Sequence, residues 1–303
     1  MVLILVPKAT NRLRYTMQLM LGRLLGLEVD YTNDVQVFQH YEGPKFSYGV
    51  QVEKKYLYFA GNGLLFESNI HARELRHFTY EGKLVFFPVI DKYSALPFDL
   101  FSASFYLVSR FEEYLPNIRD NHNRYLASGS DAYQQGYLHK PMVNHWSFLL
   151  RDVLLKKFPA LKFRMPVYRF IPSIDIDAAY AYKNKGLTRA VGGMVKAFQN
   201  RDLDEVKLRI KVLFNLEHDP FDTFELQMKL QQQYKYRPIY FVLLADYGIN
   251  DKNIPHTNRY FRQLIRYLAD YADIGIHPSY ASSNEPSLMV METARLAKIL
   301  KRE

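Results

Sequence analysis

The 303-residue sequence contains no cysteine, which excludes disulfides and thiolate metal sites, so any metal must be held by His and carboxylate side chains. Glycine and proline are scarce, at 14 residues each, too few for a collagen-like or low-complexity chain. No run of five like charges and no zinc-finger, RNP or basic-helix pattern appears. Nucleic-acid binding is therefore not expected, despite a net charge of +9 spread evenly over both halves. No stretch of about 18 apolar residues occurs, so no membrane span is expected. Residues 2–6 are apolar but too short for a signal-peptide core, lack a basic flank and stop at Pro7. They read as a first strand, and a cytoplasmic location is the expectation.

What is present is a globular composition, 48% hydrophobic and 23% charged, with length for about two domains. Tyr (24) and Phe (21) account for nearly all the aromatic residues, a surplus common where sugars or partners lie on amphipathic rings. The first half mixes strands and helices. A strand at 2–7 precedes a helical period through Met17, Met20 and Leu24 that closes at Gly26. Residues 35–38, 50–52 and 56–59 read as strands, and helices are expected after Asp99 to about Tyr114 and from Trp146 to about Lys157. The aromatic group Tyr133, Tyr137, His145 and Trp146 reads as core. Pro159 and Pro166 mark a boundary, giving domains 1–165 and 166–303. Beyond it strands at 167–177, 239–245 and 274–277 alternate with helical patterns at 202–216, 220–234, 257–272 and 286–302. Such alternation predicts a parallel sheet with crossover helices, whose chemistry sits at the C-terminal strand ends.

Three candidate sites fall at those ends. In Ser173-Ile174-Asp175-Ile176-Asp177 strand alternation puts both carboxylates on one face and both isoleucines on the other. Adjacent like charges favour a metal site or an acid/base pair; the bland alternative is one helix cap and one solvated Asp. In Asp273-Ile274-Gly275-Ile276-His277-Pro278-Ser279-Tyr280 an apolar strand delivers His277 at its end, with Ser279 placed to orient the imidazole or a ligand; a hydrogen-bonded structural His is the alternative. Asp246 and Tyr247 follow a third apolar strand and either face the same cleft or form a turn. Asp219-Pro220 reads as the start of a helix.

Ser-Ile-Asp-Ile-Asp at 173–177 and Asp-Ile-Gly-Ile-His at 273–277 resemble the first two motifs of the polysaccharide deacetylases, the NodB-homology carbohydrate esterases. Asp219 to Phe224, Asp246-Tyr247-Gly248 and Gly275 to Tyr280 are similar to a subfamily with an extra N-terminal domain. Phe105-Tyr106-Leu107 and Arg110-Phe111-Glu112-Glu113-Tyr114 resemble that extra domain. The resemblance implies an α/β chain: an N-terminal mixed α/β domain followed by an incomplete deacetylase-type (β/α) barrel, completed by a further C-terminal segment or a second chain. It implies Asp175 as general base, Asp177 and His277 as ligands of a divalent metal, zinc or a similar ion, and Asp246, Tyr247, Ser279 and Tyr280 as substrate-binding residues. The family's second motif supplies another His four residues on, where this chain has Ala281.

The expected activity is metal-dependent hydrolysis of N- or O-acetyl groups on a glycan. A carbohydrate-binding or scaffold relative without catalysis is the first alternative. A haloacid-dehalogenase-like phosphatase using Asp175 and Asp177 is the second, against which Ala179 stands where that family has Thr or Val.

Overall fold

Val2, Leu3, Ile4 and Leu5 offer no polar side, and a strand apolar on both faces fits only a parallel sheet covered by helices. In the computed structural model, which describes residues 1–164 and 167–301, these residues form β1 (Val2–Leu5), buried along its whole length. The chain divides into two units, Met1–Val167 and Tyr168–Glu303. Pro166, the expected boundary residue, lies outside the described residues.

In the first unit β1 leads into α1 (Asn11–Met17), whose Thr10 cap accepts the Leu13 N–H at 3.1 Å, and α1 continues in wider π-type turns to Leu24. There follow β2 (Val29–Thr32), α2 (Val35–His40), β3 (Lys45–Tyr48) and β4 (Leu57–Phe59), and the sheet order is β2-β1-β3-β4, all parallel. Residues 35–38, expected as a strand, are helical. Asp34 accepts the Gln36 and Val37 N–H groups at 2.7 and 3.3 Å and so caps a helix that the β-branched residues alone do not announce. Residues 50–52, also expected as a strand, have no strand pairing. A hairpin of β5 (Phe78–Tyr80) and β6 (Lys83–Val85) precedes α3 (Leu100–Val108), α4 (Asp131–Gln134) and α5 (Met142–Lys157). Trp146 is fully buried in the core and donates its indole N–H to Leu84 O at 3.2 Å; Tyr137 is also buried, whereas Tyr133 is exposed.

The second unit contains β7 (Ser173–Ile176), α6 (Leu187–Gln199), α7 (Leu203–Leu213), α8 (Phe224–Tyr234), β8 (Ile239–Leu243), α9 (Arg259–Tyr271), β9 (Asp273–His277) and α10 (Pro286–Leu300). Its sheet runs β7-β8-β9, all parallel. Asn258 caps α9 by accepting the Tyr260 and Phe261 N–H groups, and Phe261, Ile265 and Leu268 lie buried. Each such side chain contributes about 1.5–3 kcal/mol. They pack with Ile176, Tyr240 and Val242 of the sheet, with Leu244 just past β8, and with Leu296 and Ile299 of α10. That core accounts for one face of the sheet, and the alternate positions project from the other.

Two boundaries differ from the sequence reading. β7 begins at Ser173 rather than 167, and α8 begins at Phe224 rather than 220. The helix α6 was not expected, because Gly192 and Gly193 lower its propensity. The protein is thus a mixed α/β chain with parallel main sheets. Among the described residues no helix is long and apolar enough to cross a membrane.

Candidate functional site

Parallel strands in register bring their C-terminal ends level, and β7, β8 and β9 do so: Ile176 pairs with Val242, Val242 with Ile276, and Leu243 with His277. Alternation turns Ile176 into the core while Asp175 and Asp177 face away from it, both exposed. His277, at the last position of β9, is half-buried. Its Nε2 lies 3.6 Å from Asp177 Oδ1 and 4.0 Å from Asp175 Oδ2. The three side chains therefore converge, although β8 runs between the strands that carry them.

The imidazole is oriented by its own neighbour. Nδ1 lies 3.1 Å from Pro278 O, and since a carbonyl only accepts, that contact uses a proton on Nδ1 and leaves Nε2 as the ring nitrogen facing the carboxylates. A tetrahedral first-row ion with ligands near 2.1 Å sets its donors about 3.4 Å apart. The Nε2 to Asp177 spacing is close to that value, so this pair fits two ligands of such an ion. Position 281 lies in the helical turn Tyr280–Ser283 and holds Ala. Among the described residues no group of three or more His, Asp or Glu side chains is arranged to hold a metal.

Between Asp175 and Gly275 sits Phe241, in register with both. A Cβ on Gly275 would stand 2.7 Å from the Phe241 ring, so the glycine leaves the room that this ring occupies against β9. Neither residue stands out in the sequence as part of a site.

The other expected residues are placed differently. Asp246 is held by Arg295 of α10 at 2.9 Å, and the same guanidinium donates to Leu244 O at 2.8 Å. His256 belongs to this neighbourhood, its pKa lowered by burial and by the Arg295 charge. The Tyr247 ring is exposed, with the Arg189 guanidinium over it at 4.3 Å and the Lys252 ammonium at 5.0 Å. Ser279 does not orient His277. Its Oγ accepts the Ser282 N–H at 3.3 Å as a cap, and its N–H donates to the buried Glu292 carboxylate at 3.1 Å. Tyr280 is exposed, with its backbone N–H on Asp251.

Asp219 does not start a helix. Its carboxylate accepts the N–H groups of Ala181, Tyr182, Lys183 and Phe221 at 2.7 to 3.1 Å. Burial is the largest single influence and pushes its pKa up, but the four donors together outweigh it and hold the carboxyl below its usual range. Asp219 thereby fixes the loop that leaves Asp177. Three of its four partners lie 36 to 38 residues away, beyond the reach of any local sequence pattern.

A family model described as a family of unknown function, DUF7033, matches residues 2–159, within the first unit. No curated protein and no solved structure matches the chain.

Proposed function

We propose, from the premise that this chain belongs to the family of unknown function DUF7033, that its second unit is a metal-dependent deacetylase-like domain that hydrolyses N- or O-acetyl groups on a glycan. The observation that supports this most is the meeting of Asp175, Asp177 and His277 within 4.0 Å at the strand ends. Asp177 and His277 are the residues to hold a divalent ion such as zinc. When bound, that ion supplies a Lewis acid for the acetyl carbonyl and acidifies a water molecule. Asp175, across from the imidazole and not needed as a ligand, takes the proton from the attacking water. The hydrogen bond from Nδ1 to Pro278 O keeps the imidazole in the tautomer that presents Nε2. Asp246, set by Arg295, is an acceptor for sugar hydroxyls, and Tyr247 and Tyr280 are exposed aromatic residues on the segments that follow β8 and β9.

The same proposal covers the architecture. The three parallel strands, with the candidate residues at their C-terminal ends, fit part of a deacetylase-type (β/α) barrel.

One observation favours a second reading, a glycan-binding relative that has lost hydrolysis: the missing third donor at Ala281. Acetate release from an acetylated chito-oligosaccharide, with zinc present, separates the two. The proposal expects release by the wild type and none by Asp175→Asn. Binding of the oligosaccharide without acetate release would support the second reading and overturn the first.

A further inference from the structure

Two helices of the second unit carry their large apolar residues on the outside. In α6, Leu187, Val191, Val195 and Phe198 fall within about 80° of one another around the helix axis, and they are 51 to 81% exposed. The adjoining strip of α6 is made of small residues, with Ala197 buried and Gly193 against the Arg209 guanidinium of α7. In α7, Leu203 and Ile210 share one stripe with Phe214 just past the helix end, and these are 40 to 73% exposed. Val212, on the other side of α7, is buried.

The two stripes belong to one surface. Only residues 200–202 separate the helices. Arg201 turns the chain there with φ 58°, and Asp202 caps α7 by accepting the Glu205 N–H at 2.9 Å. So short a link makes an antiparallel helical hairpin, and in a hairpin that meets along Gly193 and Arg209 both stripes lie on the same side. The other side of α6 is tied down, since Arg189 donates to Asn253 O and Lys252 O at 2.8 and 2.7 Å. Single exposed apolar residues are ordinary on a protein surface. Seven on one side of a hairpin make a patch of the kind that meets a partner.

The charge around the patch selects that partner. Residues 178–201 contain five Lys or Arg and no Asp or Glu. The acidic residues of α7 are engaged, with Glu205 on Arg209 at 2.7 Å and Asp204 4.0 Å from Lys207. Among the described residues Lys183 and Lys185, ahead of α6, and Arg201 in the link are in no ion pair. A second copy of the chain would bring these like charges together, which opposes self-association. An anionic surface is attracted by them instead, and long basic side chains reach past an apolar face to phosphates beside it.

We propose that the α6–α7 hairpin docks on an anionic lipid bilayer. Leu187, Val191, Phe198 and Phe214 enter the boundary between headgroups and acyl chains, and Lys183, Lys185 and Arg201 meet lipid phosphates. The hairpin lies on the bilayer and does not cross it, because the 13 residues of α6 extend about 20 Å against a hydrocarbon core of about 30 Å.

The test is co-sedimentation of the whole chain with vesicles of phosphatidylcholine alone and of phosphatidylcholine mixed with phosphatidylglycerol. Binding to the mixed vesicles is expected, at least tenfold tighter than to the neutral ones and weaker as salt is raised. Val191→Asn combined with Phe198→Ser should weaken it at least tenfold. Both positions are exposed, so the far-UV circular dichroism and the urea midpoint should stay as in the wild type. Lys183→Gln combined with Lys185→Gln should remove most of the preference for the mixed vesicles. Ile90→Ser, at an exposed apolar residue of the first unit, should change nothing. No binding to the mixed vesicles or equal binding to both kinds would overturn the proposal. Full binding by the folded Val191→Asn, Phe198→Ser chain would also overturn it, by showing adsorption through charge alone. A dimer in solution that this double variant dissociates, without vesicle binding, would overturn it and assign the face to a second copy. None of these outcomes bears on the proposed deacetylation, which acetate release reads separately.

Discussion

Asp219 is the residue whose loss should disturb the candidate site without touching it. Its side chain is 3% exposed and takes four backbone N–H groups, three of them from the loop that follows Asp177. Asp219→Ala leaves four donors without their acceptor. Hydrogen bonds to a charged group contribute about 1.5–3 kcal/mol each, and recovery of the desolvation cost of the buried carboxylate offsets part of that sum. The net loss expected is about 3–5 kcal/mol, the usual result of removing one partner of a buried charged interaction. A unit of this size has a total stability of about 5–15 kcal/mol, so the variant folds with little margin. The two units can be read separately, because the single Trp146 is buried in the core of the first. In a urea titration Asp219→Ala should leave the Trp146 fluorescence transition in place and move part of the far-UV circular dichroism transition to lower urea. The pH dependence has a defined sign. A carboxyl held below its usual range contributes stability that is present above its unfolded pKa and is lost as pH falls through the folded value. Asp219→Asn should therefore flatten the acid limb of the second unit. A shift under about 1 kcal/mol, or an equal shift in the fluorescence transition, would refute this reasoning.

Asp99 carries the opposite sign. It is buried, its oxygens accept from Tyr48 OH at 2.9 Å, Asn62 N–H at 2.6 Å and Ser102 N–H at 3.0 Å, and burial raises its pKa against these bonds. An acid raised in the folded state contributes stability fully present below its unfolded pKa and lost as pH rises through the folded value. The Trp146 transition should move to higher urea as pH is lowered toward about 4, and Asp99→Asn should remove that trend; a wild-type transition independent of pH would contradict it. Gly275→Ala puts a methyl 2.7 Å from the Phe241 ring, and moving that ring should cost about 1–3 kcal/mol. The circular dichroism midpoint of the second unit reads this, and an unchanged midpoint would mean the ring yields freely.

β8 and β9 were legible because each is a short, largely apolar run with a polar residue at or soon after its C-terminal end, and α9 because its buried positions repeat with helical spacing. What escaped were features decided by single polar contacts. Asp34 converts a β-branched segment into α2 by capping it, and a pair of glycines concealed α6. The core of the candidate site was legible since parallel register brings strand ends together, so the positions of Asp175, Asp177 and His277 in sequence carried their meeting in space. The surroundings were not. Arg295 comes to Asp246 from 49 residues away, and Ser279 looks like a ligand-orienting residue until its hydroxyl is seen to cap the next turn.

The most direct test of the account is elemental analysis of the purified chain after incubation with zinc and removal of excess ion, with His277→Ala treated in parallel. The account predicts near-stoichiometric zinc in the wild type and its loss in His277→Ala, with the urea transitions of the variant showing that it is folded. Wild-type protein without metal, or equal metal in the two proteins, would contradict the assignment of Asp177 and His277 to one metal site.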